Sequence, residues 1–541
     1  MALNLSAEQK NIRTMFFNVN QYVIPEYQRA YSWGNEQCYQ LYIDLVQAYR
    51  GGDEYFLGNI VLAKSKERVN QPQIIDGQQR MISLWLLLKV LSIFVVDIDL
   101  ESNVLILKAW KKGEDDRLKI ESHVLENADG DAIKKILEYD KCQFEKRLSE
   151  TLDKNSVVRT DKCYGNVEYA ALLFYQYLSQ NDIVSDDYEN MTNYLLDKVM
   201  LLPIELGGDN IAEAQERALS IFETINNRGM DLQDADIFKA RLYSNALSQN
   251  QNEIFMCSWK QLTERVSILQ ISIDDVFRYY YHIIRGKNGI VTSEKKLRDF
   301  FLNDKLSPLT YQTYDATLKE LFKITDKIEK LNLYLEEDSD VVSWLQVLNV
   351  YTNVYPKFAL VTYLFKNEVV DEVDFLQYIK SIVRYVYYAG STTSVKFGIY
   401  AIIQRVMEGL PMENYYRKNF SVLELSSSSR LLPGLSLIAY YMSGRPVIKS
   451  PCVEKILYES DLKNALNMFA NYGEDMISTS SNYYVLKKSI RYKTVEERYK
   501  MIKNNPTFNA CLDDQGRVDF KRRQEIVNTL LSNFFTGDET I

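Results

Sequence analysis

Histidine is almost missing from this chain of 541 residues: it occurs only at His123 and His282. An HExxH zinc site or a histidine-metal nuclease needs several imidazoles at close spacing, so zinc-histidine catalysis is excluded. A Ser-His-Asp hydrolase needs only one, yet no GxSxG elbow is present, and Gly434-Leu435-Ser436-Leu437-Ile438 is a near miss. The six cysteines, Cys38, Cys142, Cys163, Cys257, Cys452 and Cys511, form no CxxC pair and no dense framework, which fits reducing cytosol. Long apolar runs are also lacking. The strongest, Ile82 to Val96, is broken by Ser83, Lys89 and Ser92 and falls short of the roughly 20 residues a membrane span needs. Met1 to Arg13 is polar and carries no apolar signal core, so a cytoplasmic protein without a membrane partner is expected. Positive charge is not in excess either. The formal net charge is −9, which excludes general coating of nucleic acid and leaves room only for a local site.

What is present points to an ordered, multidomain chain. Apolar residues make up 46% and charged residues 25%, outside the disordered range, and the length suggests about three units at roughly 150 residues each. With only 21 glycines and 10 prolines to break helices, and 39 tyrosines and 23 phenylalanines to fill cores, the fold class is α+β and predominantly helical. Short apolar stretches alternate with helical patterns over the first hundred residues. Tyr22-Val23-Ile24 reads as a strand stopped by Pro25, Phe56 to Leu62 as a second and Gln73 to Ile75 as a third. A helix capped by Asn35 lies between the first two, and a central apolar helix runs from Ile82 to Val96. Residues 100–200 read as a helical insertion, and Leu201 to Leu206 as a returning strand. The expected domains are 1–245, a helical 246–425 and a helical, locally basic 434–541, the last set off by Ser426 to Ser429 and Pro433-Gly434.

Three segments carry residue types suited to anion chemistry. In Ile74-Ile75-Asp76-Gly77-Gln78-Gln79-Arg80 a strand passes through glycine into a helix N-terminus. Gly77 permits close approach of an anion, the helix start offers free N–H groups and Arg80 adds a bidentate guanidinium. Asp76 could hold a divalent cation, and Gln78 and Gln79 a water or a base edge. A charged turn with Asp76 pairing Arg80 is the competing structural explanation. In Tyr22 to Trp33, Arg29 stands among Tyr27, Tyr31 and Trp33 and could clamp phosphate while the rings stack on a base or simply fill the core. In Phe222 to Asp236 a helix ends at Gly229, placing Asn226 and Arg228 where they either cap the helix or join the same pocket.

Taken together, Ile24-Pro25-x-Tyr27-Gln28-Arg29-x-Tyr31-x-Trp33, Tyr55-Phe56-Leu57-Gly58, Ile75-Asp76-Gly77-Gln78-Gln79-Arg80 and Phe222-x-x-Ile225-Asn226-x-Arg228-Gly229 occur in an order and spacing that resembles the GmrSD N-terminal domain family, over about residues 10–245. The resemblance implies a ParB/sulfiredoxin-like α/β domain that binds and hydrolyses a nucleoside triphosphate in modification-dependent (type IV) restriction and phage defence. It implies catalytic residues Asp76, Gln78, Gln79 and Arg80, nucleotide contacts at Gln28, Arg29, Tyr31, Trp33, Gly58, Gly77, Asn226 and Arg228, and Mg²⁺ or another divalent cation held by Asp76. GTP, ATP or CTP would be the nucleotide, and DNA, which could be modified, the partner, with homo-oligomerisation open.

Full restriction members of that family end in a histidine-dependent HNH nuclease, and this chain departs there. No histidine follows Pro433, so no nuclease in cis is expected and a separate nuclease subunit is implied. A sensor of nucleotide or modified DNA without turnover is the alternative, and a histidine-independent nuclease in cis a weaker one. Lys487 to Arg523 holds 11 basic and 5 acidic residues. Within it Lys487, Lys488, Arg491, Lys493, Arg498 and Lys500, interleaved with Tyr492 and Tyr499, could follow a phosphate backbone or form a solvated helix face.

Overall fold

A computed structural model of the chain describes all residues except 1–4, 20, 68–69, 96–107, 110–116, 125–128, 181–186, 212, 216, 219–220, 222–233, 337–338, 352, 390–391, 418–429, 466, 488, 490–492, 504–510 and 538–541. It divides into two compact units, one of residues 1–261 with 307–317 and one of residues 262–306 with 318–541. The serine run expected to mark a third unit lies outside the described residues, and Pro433-Gly434 falls inside the first turn of a helix, Leu432–Met442. Proline is tolerated there because its missing N–H would have no helical partner in that turn.

The first unit is α+β. Its strands are β1 (Leu5–Ala7), β2 (Lys10–Asn11), β3 (Tyr22–Ile24), β4 (Tyr55–Ser65), β5 (Gln73–Asp76), β6 (Lys108–Ala109), β7 (Arg117–Leu118), β8 (Ile120–Ser122) and β9 (Val199–Gly208). Seven of them make one mixed sheet in the order β1-β9-β4-β5-β3-β8, with β2 also on β9, while β6 and β7 pair separately. β4 and β9 run parallel over their whole length, and β5 is antiparallel to β4 but parallel to β3. The helices are α1 (Ile12–Phe17), α2 (Asn35–Gly51), α3 (Gln78–Phe94), α4 (Asp129–Glu138), α5 (Lys141–Thr151), α6 (Asn166–Gln180), α7 (Tyr188–Lys198) and α8 (Asp234–Ser248), followed by α9 (Asn252–Ile268).

α3 is the hub. Met81 to Leu91 are all buried, because the helix carries no polar face and is enclosed by α6, α7 and the sheet. Burying each such Leu or Ile contributes roughly 1.5–3 kcal/mol. The helix begins at Gln78 rather than at the expected Ile82, so the Gln-Gln-Arg of the motif forms its first turn. α2 begins at Asn35, but its cap is Gly34, whose N–H donates to Gln37 Oε1 at 3.0 Å. The described residues of 100–200 are largely helical, and α6 among them is core: Val167 to Tyr175 are buried against α3 and α2.

The second unit is a helical array with a small α+β end. Helices α10 (Ile273–Lys287), α11 (Asp340–Val350), α12 (Tyr355–Lys366), α13 (Glu372–Ala389), α14 (Thr392–Glu408) and α15 (Leu432–Met442) lead into strands β10 (Cys452–Lys455), β11 (Phe469–Ala470) and β12 (Tyr483–Leu486), helix α16 (Val495–Lys503), strand β13 (Val518–Asp519) and helix α17 (Phe520–Thr536). β10 pairs antiparallel with β12 and β11 parallel with β13 over a core of Ile456, Phe469, Tyr484, Ile502 and Phe520. The C-terminal region, expected to be helical, also holds strands, and at two to four residues these are too short to carry a two-residue alternation.

Candidate functional site

Strand β5 ends at Asp76, and Gly77 turns the chain into α3 with a positive φ of 87°. A side chain at Gly77 would meet Ile60 Cγ1 at 3.0 Å and Asn59 O at 3.3 Å, so both the torsion and the close approach of β4 require glycine. Among the described residues no side chain caps the first turn of α3, which leaves its N–H groups and the positive end of the helix dipole open to an outside acceptor.

Arg80 projects from that turn. Its Nη2 lies 3.6 Å from Asp76 Oδ2, and its Nη1 donates to Leu57 O at 3.5 Å. That carbonyl is available because β4 bulges at Leu57: Phe56 pairs with Met200 and Gly58 with Leu201, leaving Leu57 unpaired. Gly58 itself has φ +125°, and a Cβ there would stand 2.1 Å from Arg80 Nη1. The Tyr-Phe-Leu-Gly block thus cradles the Arg80 guanidinium. Burial raises the Asp76 carboxyl above its ordinary range, opposed by Arg80, the Gly77 N–H and Arg29. Arg29 is close enough to act on Asp76, yet its guanidinium has no hydrogen-bond or ion-pair partner among the described residues.

Gln78 and Gln79, expected to act on a water or a base edge, are buried and bond the Arg29 loop. Gln78 Nε2 donates to Arg29 O at 3.0 Å, and Gln79 donates to Ala30 O at 3.2 Å while accepting from Ser32 N at 2.8 Å. Both amides hold the loop that presents Arg29; the acceptor Gln78 Oε1 is left buried and unpartnered. Gln28 ties the same loop to β5 through Ile75 O at 3.0 Å. Tyr31, expected to stack on a nucleotide, is only 1% exposed and spends its hydroxyl on Ser83 Oγ at 2.6 Å, so its ring is core. Trp33 is half-buried against the same core. Asn226 and Arg228 lie outside the described residues.

Residues that local patterns did not single out complete this surround. Glu26 accepts from Tyr243 and, at 2.9 Å, from Asn252, and the Tyr27 and Tyr243 rings meet at 4.8 Å. Asp129 and Asn166 hold the peptide of Tyr31. Their only local signal is an Asp or Asn at a helix start, which capping alone would explain.

Among the described residues no group of three His, Cys, Asp or Glu could hold a metal. Asp76 is the carboxylate of this site, an arrangement that fits Mg²⁺ only in its usual mode, carried in with phosphates and keeping several waters. The two histidines stand elsewhere. His282 is buried, stacked at 4.2 Å on Phe358, and held neutral with its pKa pushed down to about 3 by burial. His123 is exposed beside Glu121.

In the C-terminal basic tract, Lys487, Lys493 and Lys500 are exposed, whereas Lys488 and Arg491 lie outside the described residues. Arg498 points inward. It pairs with Asp461, donates to Lys493 O at 3.1 Å and lies 4.9 Å over the Tyr458 ring. At 3% exposure it cannot meet a phosphate backbone, which corrects its expected place in a nucleic-acid contact.

The first unit is thus a mixed α+β domain organised around a strand-glycine-helix turn flanked by two arginines. Residues 12–243 match the family model described as "GmrSD restriction endonuclease, N-terminal domain". The match covers less than half of the chain and is to a domain of type IV restriction systems, which suggests a component of such a phage-defence system. Comparison with curated proteins finds no match. No described helix is long and apolar enough to cross a membrane.

Proposed function

We propose that the first unit binds a nucleoside triphosphate at the N-terminus of α3 and hydrolyses it, and that this turnover controls restriction of modified DNA cut by a separate nuclease. The observation that carries the reading is the Arg29 guanidinium, without a partner among the described residues, beside the Asp76–Arg80 pair at the start of α3. Two guanidiniums and a helix dipole supply the charge that a triphosphate needs and would stabilise the charge spreading over a transferred phosphoryl group. Asp76 would hold Mg²⁺ together with the phosphates, the ion supplying further positive charge. The exposed Lys487, Lys493 and Lys500 would contact the DNA backbone.

Gln78 and Gln79 favour a second reading. Gln79 spends both ends of its amide and Gln78 its NH₂ on the Arg29 loop, which leaves only the buried Gln78 Oε1 for a water, and the site could sense nucleotide without turning it over. Calorimetric titration with ATP, GTP, CTP and UTP, together with a phosphate-release assay, separates the two. Hydrolysis is expected for at least one nucleotide, lost on Arg80→Ala and Asp76→Asn; tight binding without phosphate release establishes the sensor. If no nucleotide binds with Mg²⁺ present, both fail.

A further inference from the structure

Residues Arg29 to Ser32 form neither helix nor strand, so no ladder satisfies their peptide groups and side chains must do so. Gln78 and Gln79 supply three of these bonds, to Arg29 O, Ala30 O and Ser32 N. The backbone of Tyr31 is held from elsewhere. Tyr31 N donates to Asp129 Oδ2 at 2.6 Å, and Tyr31 O accepts from Asn166 Nδ2 at 2.9 Å. Asp129 opens α4 and Asn166 opens α6, so two helix starts converge on one residue, a carboxylate taking its N–H and an amide its carbonyl, one on each of the two peptides that flank it.

The Asp129 carboxylate is 4% exposed, and the Tyr31 N–H is the one hydrogen-bond partner it has among the described residues. Burying a charged group against a single peptide costs folding free energy, so its presence calls for a return elsewhere. The return is geometric. With Gln79 bonded to Ala30 O and Ser32 N, each of the two peptides flanking Tyr31 is fixed at both its donor and its acceptor and cannot rotate, and Arg29, two residues before Tyr31, is then presented beside Asp76 in one orientation before any ligand arrives.

We propose that Asp129 and Asn166 are positioning residues for Arg29, and that the helical region between β5 and β9 is thereby part of the anion site rather than an addition to the domain. The proposal rests on the reading that Arg29 meets the bound nucleotide. Neither residue touches the ligand; each acts through the Arg29 loop.

A double-mutant cycle in the full chain tests it. With the preferred nucleotide and Mg²⁺, Asp129→Ala is expected to weaken binding about tenfold, and Asn166→Ala by a similar factor. In an Arg29→Ala background each should then cost less than twofold, because the side chain being positioned is gone. Asp129→Asn keeps an acceptor for the Tyr31 N–H and should restore most of the affinity. Equal losses with and without Arg29, or Asp129→Asn as damaging as Asp129→Ala, would overturn the proposal by showing a general packing role. Hydrogen exchange separates this failure from failure of the nucleotide reading. In Asp129→Ala the Tyr31 amide should exchange at least tenfold faster while amides at the centre of α3 stay protected. That result stands even if the parent protein binds no nucleotide, and an unchanged Tyr31 amide sinks the positioning claim outright.

Discussion

Gly58 shows how a residue without a side chain specifies where a charged one goes. Its positive φ lets β4 bulge so that Leu57 O faces Arg80, and the missing Cβ leaves the space that Arg80 Nη1 fills. Gly58→Ala should therefore act on Arg80 and not merely on the backbone. A strained torsion costs of order 1–3 kcal/mol, and a methyl group 2.1 Å from Nη1 must push the guanidinium off its carbonyl and away from Asp76. Nucleotide affinity should fall to the level of Arg80→Ala, and the double variant should be no weaker than either single one. Gly52 is the control. It too has a positive φ, at 73°, but nothing lies within 4 Å of an added Cβ, so Gly52→Ala should lower the melting temperature while sparing affinity. At this scale the motif spelled out which residues gather, Asp76, Arg80 and Arg29, but not the division of labour. Gln78 and Gln79 look as fit for catalysis as Arg80 does in a linear string, and only their bonds to residues nearly 50 positions away make them supports.

Elements were legible where a local signal marks them, as Pro25 does the end of β3. β3 coincides with the expected Tyr22 to Ile24, and α3 was unmistakable because thirteen residues without Gly or Pro all point into the core, although its start lay four residues earlier than apolarity suggested. The two- to four-residue strands of the C-terminal end gave no such signal. Helix α16 shows the consequence for function, because one helix carries both classes of cation. Val495, Arg498 and Ile502 face inward at i, i+3 and i+7, while Lys500 is exposed on the same helix and Lys493 just before it. A count of basic residues cannot separate them, whereas helical phase does. Arg498→Ala should destabilise the fold by roughly 3–5 kcal/mol, since it leaves Asp461 partly buried without its partner. Changing Lys487, Lys493 and Lys500 together to Glu should leave the melting temperature nearly unchanged, weaken DNA binding and flatten its salt dependence. Unaltered DNA affinity in that triple variant would remove this face as a DNA contact.

At the scale of the molecule, the family match and the folded unit have different boundaries. The match stops at residue 243, while the first compact unit runs to residue 261 and takes in 307–317. The reason lies in contacts no local pattern announces. Tyr243 hydrogen-bonds Glu26 across 217 positions, Asn252 donates to the same carboxylate at 2.9 Å, and the Phe255 ring packs 6.1 Å from that of Tyr243. Tyr314 then closes this edge, its N–H on Asn245 Oδ1 at 2.9 Å and its ring 5.8 Å from Phe255. A fragment ending at residue 243 loses Asn252 and the fully buried Phe255, leaving Glu26 with one donor and Tyr27 and Tyr243 uncovered. Losing a buried aromatic alone costs about 3–5 kcal/mol, and each kcal/mol shifts the melting point of a domain this size by about 2–4 °C. A fragment of residues 1–243 should accordingly melt at least about 6 °C below one of residues 1–261 in scanning calorimetry. Because Glu26 and Tyr27 immediately precede Gln28 and Arg29, the shorter fragment should also bind nucleotide more weakly. Equal melting points would place the folding boundary at the family boundary and leave α9 without a role in shaping the Arg29 loop.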